Sequence, residues 1–177
     1  MDVESVKPKR SQETERLWST TQISLRFFAF ATSFTSAMII FKNKQVTFLF
    51  GMEFSATYTD DPTFKFFAYS NMIAACLSAL SLIFSIANSR KPMDQTVYFY
   101  FFMHDLIMAM LMTAASAAAS AIGYVGKHGN SQAGWIAICD HFGRYCAKNT
   151  VAVALSYFCL FLYLFLIVMS SIKSRQS

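Results

Sequence analysis

The chain has 177 residues, 55% of them hydrophobic and only 14% charged, with a formal net charge of +5 and a mean hydropathy of +0.38. Soluble domains carry roughly 25% charged residues. The low charge here, together with nineteen Phe, eight Tyr and ten Met, argues against a soluble globular enzyme, and the aromatics exclude a disordered chain.

Residues 1–17 hold Lys7, Pro8, Lys9, Arg10, Glu13, Glu15 and Arg16 and read as a flexible cytoplasmic tail. The apolar run after them starts too late and is too long for a signal peptide, and no small-residue cleavage site follows it. A membrane helix needs about 20 mostly apolar residues. Four stretches reach that length: residues 18–41, 66–87, 97–125 and 150–172. The expected fold class is therefore an all-α membrane protein, a four-transmembrane-helix bundle occupying residues 18–172. The lipid bilayer is its first partner. Outer loops are expected at 42–65 and 126–149, an inner loop at 88–96 and a short second tail at 173–177.

Basic residues lie close to the helix ends on one side, as Lys7, Lys9, Arg10 and Arg16, then Arg90 and Lys91, then Lys173 and Arg175, in modest contrast to Lys42, Lys44, Lys65, Lys127, Arg144 and Lys148 of the opposite loops. The positive-inside rule makes that side cytoplasmic, with both termini inside. The same grouping explains the positive charge without a nucleic-acid partner, since no continuous basic face is formed. The first outer loop, with Glu53, Asp60, Asp61 and Pro62, is expected to be polar and irregular. Trp18 suits the membrane interface.

Two charges lie inside spans. Arg26 is eight residues into the first and Asp105 eight into the third. Each costs at least about 2.5–3.5 kcal/mol at a membrane helix centre unless partnered. Both helices run outward from the cytoplasm, so the two sit at equal depth with opposite sign. An Arg26–Asp105 ion pair that fixes helix packing is the leading reading, because the planar guanidinium holds a carboxylate through two hydrogen bonds. A proton or ion pathway and a snorkelling Arg26 are the alternatives. His104 is expected on another side of the third helix as a packing residue, and Asn71 is expected to bond across helices.

Small residues recur every four positions in the third span, as Ala109, Thr113, Ala117 and Ala121, and beside them Ala115, Ala119 and Gly123. Such a face lets another backbone approach closely, either within the bundle or in a self-association contact. In the second outer loop Cys139 and Cys146 stand near Trp135. An oxidising compartment favours a disulfide there over two free thiols. Cys76 and Cys159 fall within spans and read as packing residues. No metal-ligand cluster, nucleophile elbow or phosphate-cradling loop occurs, so no catalytic residue, metal or cofactor is expected.

Taken together, these features resemble the Casparian strip membrane domain proteins of land plants, in their broader "CASP-like" branch. The resemblance rests on the four-span layout, on Leu25-Arg26-Phe27, and on His-Asp-Leu around Asp105. The Ala-rich stretch 113–121 and Trp135-Ile-Ala-Ile-Cys139 followed by Phe142 and Cys146 complete it. It implies a relation to the four-helix MARVEL proteins, with Arg26, Asp105, Cys139 and Cys146 at family positions. It also implies a plasma-membrane, multi-pass scaffold that forms homo- and hetero-oligomers with family members. Recruitment of cell-wall enzymes and a lateral diffusion barrier follow from the founding members. The loop 46–57 departs from theirs, so the resemblance speaks for fold and placement more than for a Casparian-strip role. The alternative function is a small transporter or channel subunit with a polar path at Arg26 and Asp105.

Overall fold

A computed structural model describes residues 6–49, 51–88 and 95–176; Arg90 and Lys91, used above for orientation, lie outside the described residues. The elements in chain order are helix α1 (Val6–Phe41), strands β1 (Lys44–Leu49) and β2 (Met52–Thr57), and helix α2 (Pro62–Asn88). Helix α3 (Gln95–His128), a 3-10 turn at Ser131–Ala133 and helix α4 (Gly143–Gln176) complete it. Four helices are long and apolar enough to cross a membrane, within Arg16–Phe41, Pro62–Asn88, Thr96–His128 and Gly143–Ser174. The protein is a four-span helical membrane protein. Only 33% of each apolar window is buried within the bundle, so most of each window turns outward. Phe28, Leu80, Ile83, Ile107, Phe161 and Phe165 are among the large apolar side chains exposed there, a surface that hydrocarbon solvates and water does not.

Three expectations are corrected. Residues 6–17 are not a flexible tail but the first three turns of α1. Glu13 and Arg16 stand three apart, an opposite-charge spacing that supports helix, and Pro8 is tolerated in a first turn whose N–H groups have no helical acceptor. The first loop is not irregular: β1 and β2 form an antiparallel hairpin in which Lys44 pairs with Thr57 and Leu49 with Met52. Val46, Thr47 and Phe48 are strand-formers, and Gly51 supplies the turn at φ 79°. The second loop is shorter than expected, because α3 runs on to His128 and α4 begins at Gly143.

Cross-helix contacts define the packing. Ser36 Oγ donates to Ala152 O and Cys159 Sγ to Ala29 O, so α1 and α4 run antiparallel. The hydroxyls of Ser116 and Ser156, and of Ser120 and Tyr157, join α3 to α4. Phe84 meets Phe101 edge-on between α2 and α3, and Phe41 meets Tyr69 between α1 and α2. α1 and α3 therefore occupy opposite corners of the bundle. Small residues make up about half of the interior, among them Ala29, Ala37, Ala68, Ala74, Ala115, Ala119 and Ala152 with Ser33, Ser36, Ser70, Ser78, Ser116 and Ser156, and they pack beside Ile40, Phe67, Met112, Tyr163 and Leu166. Lipid offers no hydrophobic drive between helices, so close backbone approach and hydroxyl hydrogen bonds replace it.

Candidate functional site

Arg26 comes ten residues after Arg16 in its span and Asp105 nine after Thr96 in its own, so the two meet at one level across the bundle diagonal. Arg26 Nη1 donates to Asp105 Oδ1 and Nη2 to Oδ2, both at 2.9 Å. The side chains are 1% and 0% exposed. Nη1 also reaches Ser81 Oγ of α2 at 3.2 Å, and the guanidinium carbon lies 4.2 Å from the centroid of the Phe101 ring. One group thus ties α1, α2 and α3 with a fork, a hydroxyl and a cation–π contact. Tyr163 of α4 continues the polar layer, its hydroxyl 2.6 Å from Ser78 Oγ.

His104 does not turn away from the pair. Its Nδ1 lies 3.0 Å from Asp105 Oδ1, within hydrogen-bond reach of the carboxylate. Consecutive helical residues point about 100° apart, but the ring is long enough to bend back. Asn71 also departs from expectation: its Nδ2 donates to Phe67 O one turn back in its own helix. The cross-helix bonding assigned to it is made by serines instead.

The small-residue rows of α3 divide. Ala109, Ala115 and Ala119 are buried in the bundle, whereas Thr113, Ala117 and Ala121 face outward and Gly123 is half-buried with open space beside it. Thr113 Oγ1 donates to Ala109 O, so the outward row shows no free hydroxyl.

At the hairpin end, Cys139 and Cys146 are joined by a disulfide with their Cα atoms 5.8 Å apart. The bond fastens the loop after α3 to the first turn of α4. Gly126 O accepts from the amides of both Ile138 and Cys139. Gly129 has φ 69°, and a Cβ there would stand 2.8 Å from Trp135 O, so only glycine fits. The loop returns through an Asn130–Trp135 bridge and leaves the Trp135 side chain exposed. Sequence reasoning missed the element that fastens the hairpin. Asn43, buried after α1, donates from Nδ2 to Tyr145 O at 2.9 Å and to Asn149 Oδ1 at 2.7 Å. Gln45 Oε1 accepts from Tyr145 N, and the Tyr145 hydroxyl donates to Thr57 O. An Asn directly after a long apolar run was the available signal. Among the described residues no group of three His, Cys, Asp or Glu could hold a metal ion.

A family model described as the Casparian strip membrane protein domain matches residues 15–162. The chain belongs to this family. CASP-like protein 1F2 of Populus trichocarpa is 41% identical over 164 residues, covering 93% of this chain and 91% of that protein. CASP-like protein 1F1 of the same species is 38% identical over 164 residues, with the same two shares. Casparian strip membrane protein 2 of Populus trichocarpa is 36% identical over 154 residues, covering 86% of this chain and 77% of that protein. No solved structure matches the chain. The matched span holds both Arg26 and Asp105, both loop cysteines and most of the apolar part of α4.

Proposed function

We propose that this Casparian strip family member is a non-enzymatic plasma-membrane scaffold that self-associates, with both termini and residues 88–96 on the cytoplasmic side. Family membership carries the reading. Two features support it. The ionic group is engaged inside the bundle, in a bidentate pair closed from solvent, as suits a structural lock. The outward row of Thr113, Ala117 and Ala121 presents a small-residue surface on which a second transmembrane helix can pack closely. Hetero-oligomers with family members and capture of cell-wall enzymes on the outer cap extend the same reading. The exposed Trp135 is a candidate contact there.

Photobleaching recovery of the tagged protein in plant plasma membrane, combined with the mass of its detergent-resistant complex, tests the proposal. An immobile, multimeric pool that Ala117→Leu disperses is expected. A freely diffusing monomer overturns the scaffold reading and turns attention to transport through Arg26 and Asp105.

A further inference from the structure

Between the hairpin ends of α1 and α4 runs an open groove of about 530 Å³, lined by Phe34, Met38, Ile39 and Val151, with Lys42 and Lys148 at its mouth. From Lys42 down to Phe34 is eight residues, or about 12 Å along the helix. The one hydroxyl on the wall, Thr35 Oγ1, is already bonded to Ala31 O, so the floor offers nothing to a polar guest. Both lysines are exposed, and among the described residues no carboxylate lies within salt-bridge distance of either. The Asn43 clamp joins the end of α1, next to Lys42, to α4 at Asn149, next to Lys148, so the two lysines belong to the two helices that form one cleft.

We infer that this groove is a lipid site: an acyl chain lies along Phe34, Met38 and Ile39, and the anionic phosphate of the same molecule sits between Lys42 and Lys148. Two unpaired cations above an apolar slot call for an anion covalently attached to a hydrocarbon tail. A second copy of the chain fits less well: its spans hold a single carboxylate, Asp105, which is buried and paired, and its free acids at the hairpin end, Glu53, Asp60, Asp61 and Asp140, lie in the loops with no hydrocarbon tail attached that could enter the slot. The lipid would fill the wedge between α1 and α4 and brace the hairpin attached there. The inference stands apart from the scaffold reading and needs no assumption about which side is cytoplasmic.

Native mass spectrometry of the full chain, released from micelles doped with phosphatidylglycerol or with phosphatidylcholine of the same chains, tests it. The wild type should retain one phosphatidylglycerol with about tenfold preference, as expected for two lysines beside an anionic head group. Lys42→Gln/Lys148→Gln should abolish the preference. Lys65→Gln/Lys127→Gln, which removes the same charge away from the groove, should keep it. Met38→Trp, filling the slot, should lower retention of both lipids. A wild type without preference, or equal loss in both lysine pairs, overturns the site. So does a Met38→Trp variant that loses multimer mass but no lipid, since the groove would then be a contact between copies.

Discussion

The half of the bundle around Arg26 and the cap at the hairpin end hold helices together by opposite means. Around Arg26 three helices meet on one charge pair, with Ser81 of α2 bonded to it, and α4 joins the same layer through the Ser78–Tyr163 hydroxyl bond. At the cap, many neutral bonds act beside one covalent bridge. Asn43 binds Tyr145 and Asn149, Gln45 binds Tyr145, and Cys139 is joined to Cys146. The difference follows from charge. Within the apolar spans an ion that loses its partner finds no replacement, so interactions there are few and interdependent. At the cap Asn43, Tyr145 and Asn149 are buried as well, but they are neutral, so losing one contact leaves no orphan charge and costs less.

The sharpest way to break this contrast is Asp105→Ala. Removing one partner of a buried pair costs about 3–5 kcal/mol, because Arg26 would remain charged in hydrocarbon. Loss of assembly or of surface delivery is expected, read by confocal imaging and by the yield of monodisperse protein. The double variant Arg26→Ala/Asp105→Ala should be milder than the sum of the singles, since neither then leaves an orphan charge. Additive losses would show that the two side chains stabilise the bundle independently.

Next in size is the disulfide. Cys146→Ser, or reduction of the wild type, frees a short loop and should cost about 2 kcal/mol. The effect should appear as a lower thermal midpoint of the purified protein, with the helix content retained. Adding Asp105→Ala should give a loss equal to the two separate losses, because the sites lie at opposite ends of the bundle and share no partner. Coupling between them would contradict the division into an interdependent half and a graded cap.

How far these regions can be read from sequence also divides along that line. Spans, ion pair and disulfide candidates are legible because each rests on a residue that its surroundings make improbable: an Arg or Asp in twenty apolar residues, or two cysteines in one loop. Buried serines carry no such signal, since Ser78 and Ser156 look like any small polar residue until Tyr163 and Ser116 face them. The hairpin reads as loop because Glu53, Asp60 and Asp61 dominate the composition, although Val46, Thr47 and Phe48 before Gly51 carry the strand-turn pattern. Asp61 instead caps α2, accepting from Thr63 N at 2.6 Å just before Pro62 opens the helix. His104 escapes a sequence reading because angular position on a helix does not limit where a long ring can reach.

A smaller effect is expected from Asn43→Ala. It removes two hydrogen bonds between the end of α1 and α4 and leaves the buried Tyr145 O and Asn149 Oδ1 without those neutral donors, a loss of about 1–2 kcal/mol. Proteolysis of the hairpin in intact vesicles should speed up while the pair around Arg26 keeps the bundle assembled. A variant that fails to insert at all would show the cap to be as indispensable as the ion pair.

The least perturbing substitution is Asn71→Leu, and its sign is informative. Asn71 is fully buried, commits its Nδ2 to its own helix and leaves Oδ1 without a protein partner. An apolar side chain of similar size removes an unsatisfied acceptor and breaks no cross-helix bond, so stability should be unchanged or slightly higher. A loss of about 1 kcal/mol or more, measured as a fall in the thermal midpoint, would mean that Oδ1 is bonded in the membrane to water or to another chain. Asn71 would then join Arg26 and Asp105 among the groups whose partners are irreplaceable, and the boundary between the two regions would move from Ser78 outward toward Phe67.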